Sequence, residues 1–282
     1  MLRTSKITAY EIEVRESLQE LYDKCKINMM HSGDLLLCEQ NGFLFNGKPC
    51  VGLGDEGINN IEKINTISYN GIGETTDDDN YFLNCSSNFH TGSNELSNTI
   101  RKEKSTYLDI WENTFYLSKL TQIANTLNGV AYDWNLDISH LPPSGKSKHI
   151  REQIIQRLNL APKIQSVIRS SYIGQIRNAI AHSQYNCIKG GIIYNNYNRN
   201  QYSKLQGLSF EQWEEKYIKT YIVFVGVFGL LKQVTTEYYL PLTSSTLGHG
   251  IPIRVPDGNG AFKETHLLPS QDGSIWRFTN VL

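Results

Sequence analysis

Apolar residues recur at helical spacing along much of the chain. Ile7, Tyr10, Val14, Leu18, Leu21 and Cys25 fall three or four apart, which predicts an amphipathic first helix whose stripe faces a core. Thr8 with Glu11 fits a capping box at its start. Tyr116, Leu120, Ile123 and Leu127 make a second stripe, with Trp111 and Phe115 beside it. It predicts a helix over 105–128 that Gly129 stops. A further helix is expected over 147–160 through Ile150, Ile154, Ile155 and Leu158. Pro162 suits the first turn of the next one, where Ile164, Ile168, Tyr172, Ile176 and Ile180 form a ridge for the core. Ser209 with Gln212 fits a capping box for the last long helix, 210–238. Its centre, 221–231, is apolar nearly all round, so it is expected to be buried. Gly226 and Gly229 would allow close packing there, and Pro241 ends it.

Other stretches read as strand or turn. The run 34–39 is apolar and strand-like, Asn41-Gly42 is a hairpin signal, and 43–45 would return. Short strands are also expected at 51–55 and 64–69. The Asn-, Ser-, Gly- and Thr-rich text of 82–98 reads as loop. Gly190-Gly191 and the Tyr/Asn-rich run to Tyr202 predict a hairpin or a long loop. The tail 251–278 alternates apolar runs with Pro256-Asp257-Gly258 and Gln271-Asp272-Gly273, which predicts two or three short strands. These are expected to pair with the N-terminal hairpin in one small sheet. The expected architecture is mainly α. Residues 1–103 form an α+β addition, 104–240 a helical bundle, and 241–282 a β-rich tail packed on the same body.

The stretch with candidate chemistry is 171–185, the end of a helix that carries Arg177, Asn178 and His182. Asn178 and His182 are four apart and share a helix face. Arg177 lies about 140° around from His182, but its long fork can reach over the helix end. A cation, an amide and a titratable imidazole at one spot suit phosphodiester chemistry. Gly174, Asn178, His182 and Tyr185 form a polar, small stripe on the same helix. It is either a face for a second protomer or substrate, or an ordinary solvent face.

Charge sharpens this picture. Lys+Arg number 27 against 28 Asp+Glu, a net charge of −1, which argues against a generally basic nucleic-acid binder. The distribution is uneven. Between Ser144 and Tyr185 seven basic residues face Glu152 alone, and between Asp55 and Asp79 seven acids face Lys63 alone. The basic excess sits on the candidate segment, as phosphate attraction requires, although a charge run is also what a solvated face looks like. Lys148, Arg151, Tyr185 and Arg199 are the candidate RNA contacts. Tyr194, Tyr197 and Tyr202 beside Arg199 and Lys204 either stack on unpaired bases or are ordinary hairpin residues. Asp77-Asp78-Asp79 reads as a cation site or, more simply, a solvated turn. The five cysteines are scattered and without C-x-x-C spacing, which suggests neither zinc nor a disulfide framework. No metal or cofactor is expected. A reducing cytoplasm fits, no signal peptide is read at the N-terminus, and 221–231 is too short to span a bilayer.

The order Arg177-Asn178, three residues, His182 resembles the motif of the HEPN superfamily, an Arg with a polar residue after it and a His a short spacer later. The resemblance covers roughly 104–240. It implies a four-helix bundle and a metal-independent endoribonuclease of a toxin–antitoxin or antiphage defence system. In that chemistry the RNA 2′-hydroxyl attacks the adjacent phosphate. His182 would move the proton, Arg177 would stabilise the phosphorane oxygens, and Asn178 would orient His182 or bond a phosphate oxygen. Two protomers usually pair so that both motifs share one cleft, which implies a homodimer through the Arg177–His182 helix, with an antitoxin or other restraining partner and no membrane. Some members are inactive, which implies the alternative of a binding or regulatory subunit acting through protein–protein contacts. In some members a Tyr two after the His is modified. Tyr185 stands three after His182, so that regulation is not carried over.

Overall fold

The computed structural model describes residues 2–40, 55–89, 95–197, 204–245, 250–257, 259, 261–269 and 276–279. Helix dominates them, so the protein is mainly α. In chain order the elements begin with β1 (Leu2–Arg3), α1 (Thr4–Asn28), α2 (Asp34–Gln40), α3 (Asp55–Asn70), β2 (Thr75–Thr76), α4 (Asp79–Ser87), α5 (Glu95–Glu112) and α6 (Thr114–Leu127). A helical run follows, α7 (Pro143–His149) continued by a π-helical stretch (Ile150–Ile155) and a 3-10 stretch (Gln156–Leu160). Then come α8 (Pro162–Ser171), α9 (Gly174–Ala181), β3 (Tyr185–Ile188), β4 (Gly191–Tyr194), β5 (Gly207–Ser209) and α10 (Phe210–Val234). A π-helical turn (Thr235–Tyr239) leads to α11 (Leu240–Ser245), and β6 (Ile251–Pro256), β7 (Phe262–Pro269) and β8 (Trp276–Thr279) close the chain.

Several expectations match. The α1 stripe Ile7, Val14, Leu18, Leu21 and Cys25 is buried. Gly129 takes φ +67 after α6, and the Gly129 and Val130 N–H groups close back on the carbonyls of Thr126 and Asn125, a Schellman ending. Ser209 and Gln212 make the reciprocal capping box, at 2.9 and 3.1 Å. The hairpin at Gly190-Gly191 forms as β3–β4, and β5 adds a third antiparallel strand.

Other expectations are corrected. The runs 34–39 and 64–69 are helical, not strands. Leu35, Leu36, Leu37 and Cys38 are all buried, so the run carries no periodicity by which helix and strand could be told apart. The hairpin signal at Asn41-Gly42, with 43–45, lies outside the described residues. Thr8 caps nothing at the helix start; α1 begins at Thr4, and the Thr8 hydroxyl donates to the Thr4 carbonyl at 3.2 Å. Residues 82–87 and 95–98 are helical where loop was expected. The expected helix 105–128 is two helices parted at Asn113. The tail forms its own antiparallel sheet, β6–β7–β8; among the described residues the strands of the N-terminal region are β1 and β2, which pair in parallel with each other. Helix α10 is not buried all round, since Gly229 is exposed and a Cβ there would meet open space. The stretch Phe210–Leu242 is also long and apolar enough to cross a membrane by length and composition, with half of its most apolar window buried.

Two compact units divide the chain. The first takes Met1–Ser17, Lys63–Asn113 and Lys163–Val225; the second takes Leu18–Glu62, Thr114–Pro162 and Gly226–Leu282. Each of the ranges 1–103 and 104–240 therefore contributes to both units. The core of the first is aromatic: Tyr107 packs against Trp213 with ring centroids 5.4 Å apart, and Trp111 against Tyr172 at 4.8 Å. In the second, α2 packs on α6. There the Lys119 ammonium donates to the carbonyls of Cys38 at 3.0 Å and Glu39 at 2.6 Å, satisfying acceptors that the end of α2 leaves open.

Candidate functional site

Helix α9 carries the motif, and a break fixes where it starts. Ile173 is extended, with φ −128 and ψ 111, so α8 and α9 are separate helices rather than one. The Tyr107 hydroxyl bridges the gap. It donates to the Ser171 carbonyl at 3.0 Å and accepts from the Ile173 N–H at 3.2 Å, so both backbone groups stay satisfied where the helical ladder stops. The ridge Ile164, Ile168, Tyr172, Ile176 and Ile180 is nevertheless buried throughout. Gln175 ties the first turn of α9 to the chain before β5: its side chain donates to the Leu205 carbonyl at 2.7 Å and accepts from the Leu205 N–H at 2.9 Å.

The other end of α9 is a second Schellman ending. His182 is the C-cap residue, with φ −107 and ψ 12. Ser183 takes a left-handed φ of 53. The Gln184 N–H reaches the Ala179 carbonyl at 2.7 Å and the Ser183 N–H the Ile180 carbonyl at 3.2 Å. His182 is thereby held at the helix tip, with its side chain exposed. No side-chain hydrogen bond or ion pair engages it among the described residues.

Arg177 lies inside, only 2% exposed. Its guanidinium forms an ion pair with Glu112, the last residue of α5, and donates to the Asn178 side-chain carbonyl at 2.8 Å. A carboxylate at a helix C-terminus opposes the helix dipole, and the Arg177 cation offsets that charge. Burial lowers the guanidinium's pKa from its ordinary value, yet an arginine remains protonated at neutral pH. Asn178 is half-buried and engages Arg177; no side-chain hydrogen bond joins it to His182 among the described residues.

The remaining candidates fall elsewhere. Tyr185 stands on β3, not on a helical stripe with Gly174, Asn178 and His182, because α9 ends at Ala181. Its ring lies 3.7 Å under the Lys104 ammonium. Lys148 and Arg151 belong to the second unit, whereas Arg177, Asn178 and His182 belong to the first. Lys148 pairs with Glu152 at 4.0 Å, and Arg151 is exposed. Arg199 and Tyr202 lie outside the described residues. Tyr194 is buried and so presents no face for a base, while Tyr197 accepts a hydrogen bond from Gln206 at 3.1 Å. Asp78 serves the fold instead of a cation. Its carboxylate caps α4, accepting from the N–H groups of Asn80 at 2.8 Å and Tyr81 at 3.1 Å. Among the described residues no group of three or more His, Cys, Asp or Glu is placed to hold a metal ion.

Glu112, Tyr107 and Lys104 take part in this site and were not expected. The signal for Glu112 was Asn113-Thr114, residue types that favour helix N-termini and so mark a new start inside the apparent 105–128 helix. No local signal marks Tyr107 or Lys104, because their partners are more than sixty residues away. The chain matches no family model, no curated protein and no solved structure.

Proposed function

We propose that the chain is a metal-independent endoribonuclease of HEPN type, built on a HEPN-like helical bundle with the N-terminal region and the C-terminal tail as additions. It would act in the cytoplasm as a defence or toxin–antitoxin effector. The observation that carries this reading is the exposed His182 imidazole fixed at the tip of α9, one turn beyond a bonded Arg177–Asn178 pair. His182 would move the proton between the RNA 2′-hydroxyl and the leaving 5′-oxygen. Arg177 would stabilise the charge that builds on the phosphorane oxygens. To do so it must exchange Glu112 for phosphate, with Asn178 retaining one guanidinium N–H. Two copies would pair through the Arg177–His182 helix, and an antitoxin or other partner would restrain them.

A specific observation favours a second reading. Arg177 is buried and already paired with Glu112, as suits a HEPN-fold binding or regulatory subunit with no activity. One experiment separates the two. Purified full-length protein is incubated with RNA in the presence of EDTA, and the ends of any fragments are analysed. The ribonuclease reading expects cleavage at defined positions with 2′,3′-cyclic phosphate and 5′-hydroxyl ends. Intact RNA at every protein concentration supports the inactive subunit, and cleavage that EDTA stops overturns the metal-independent mechanism.

A further inference from the structure

A buried lysine and a cysteine meet behind the motif. Lys104, on α5, is 2% exposed. Its ammonium donates to the Cys187 sulfur at 3.3 Å and sits over the face of Tyr185. No carboxylate pairs with it among the described residues, which is unusual for a buried cation. Cys187, in the middle of β3, is a free thiol and half-buried, so a small oxidant can reach it. A second observation falls on the same pair of strands. Tyr194, which faces Tyr185 across the β3–β4 pair, has a buried hydroxyl with no hydrogen-bond partner among the described residues. Burial raises the pKa of this phenol, and the neighbouring Cys187 raises it further. A buried unpaired hydroxyl is costly, so the face of the sheet that carries Cys187 holds a polar group still without an acceptor.

We infer that Lys104 and Cys187 form an oxidative lysine–cysteine cross-link in which one oxygen atom bridges the lysine nitrogen and the cysteine sulfur. The gap is too wide for a direct N–S bond, and a single inserted oxygen closes it with a small shift. Dioxygen is the co-reactant. The ammonium first releases one proton to solvent; one N–H bond of the resulting amine and the S–H bond then break, N–O and O–S bonds form, and the O–O bond is cleaved. Nitrogen and sulfur each give up two electrons. One oxygen atom stays in the bridge, and the other leaves as water with the two hydrogens. The bond would fasten α5, which ends at Glu112, to the strand that follows His182. Nothing in this chemistry depends on RNA cleavage.

The test is mass spectrometry of the full-length protein equilibrated in air, before and after dithiothreitol. The expected result is a fraction heavier by about 14 Da, one oxygen gained and two hydrogens lost, which thiol reductant removes. Tryptic digestion should yield a linked peptide pair joining Lys104 to Cys187, with no cleavage after Lys104. Lys104→Arg and Cys187→Ser should each abolish the heavier species; if either variant fails to fold, the peptide map of the parent decides alone. The inference is overturned if Cys187 of the aerated protein is fully alkylated after unfolding, if it carries only sulfinic acid or a mixed disulfide, or if the link runs to another lysine.

Discussion

Arg177 and His182 are five residues apart and live in different physical worlds, so their substitution should do different things. Arg177 is buried against Glu112, and removing it strands a largely buried carboxylate. Breaking such a pair costs about 3–5 kcal/mol when both partners are buried. Glu112 keeps a quarter of its side-chain surface in solvent, so about 2–4 kcal/mol is expected for Arg177→Ala in urea unfolding. His182→Ala removes an exposed side chain and should change stability by less than about 0.5 kcal/mol. A loss of activity in Arg177→Ala is therefore ambiguous, while a loss in His182→Ala speaks to chemistry. Equal destabilisation by the two changes would contradict the placement of both side chains.

Lys119 makes a pH-dependent prediction at the same scale. Burial lowers its pKa from 10.5 to about 8. Between those values the unfolded chain binds the proton and the folded chain does not, so stability from this group rises with pH. The penalty is fully present below pH 8 and gone above 10.5, amounting to about 3 kcal/mol. Other groups titrate in the same window, Cys38 among them, its thiol pushed up to about 12 by burial. The contribution of Lys119 is therefore read by comparing the parent with Lys119→Met in urea unfolding at pH 7.5 and 9.5. The parent should gain stability relative to the variant as pH rises. Parallel pH profiles would show that the lysine is not buried as described.

At the scale of elements, the ending of α9 is what presents His182. Ser183 is left-handed, a conformation that glycine adopts without cost and other residues do not. Ser183→Gly should stabilise the protein by about 0.5–1 kcal/mol, visible as a higher urea midpoint with an unchanged slope. A destabilised Ser183→Gly would mean that α9 does not end in this motif. Elements such as this one show which features were legible. Helix ridges spaced through Ile164 to Ile180 read correctly as core, because burial follows periodicity even across a break. The capping box of Ser209 and Gln212 and the turn at Gly190 also read correctly, because each is a local hydrogen-bond device. The breaks at Asn113 and Ile173 did not, because the second depends on the hydroxyl of Tyr107 far away in sequence. The runs 34–39 and 64–69 failed for a related reason: short apolar or β-branched segments take their form from what they pack on. Of the candidate site, the residue types and the helix were legible. The burial of Arg177 was not, since nothing near it in sequence announces Glu112 as its partner.

At the scale of the whole molecule, the net charge of −1 leaves no general attraction to RNA, so substrate capture would depend on a local surface. One motif supplies a single imidazole and a single guanidinium, whereas cyclising transfer calls for a base, an acid and charge stabilisation at one phosphate. Two copies supply all of these, and two-fold pairing is the commonest symmetry. Light scattering should therefore report a dimer, and Gly174→Arg at the start of α9 should separate the protomers and remove activity together. An active monomer would exclude the shared cleft. The most direct measurement is the rate of RNA cleavage by the parent and by His182→Ala, with EDTA present and both proteins shown to be equally folded. The ribonuclease account predicts cleavage with cyclic-phosphate ends by the parent and a loss of at least about a hundredfold in the variant. Equal rates for the two proteins would contradict it.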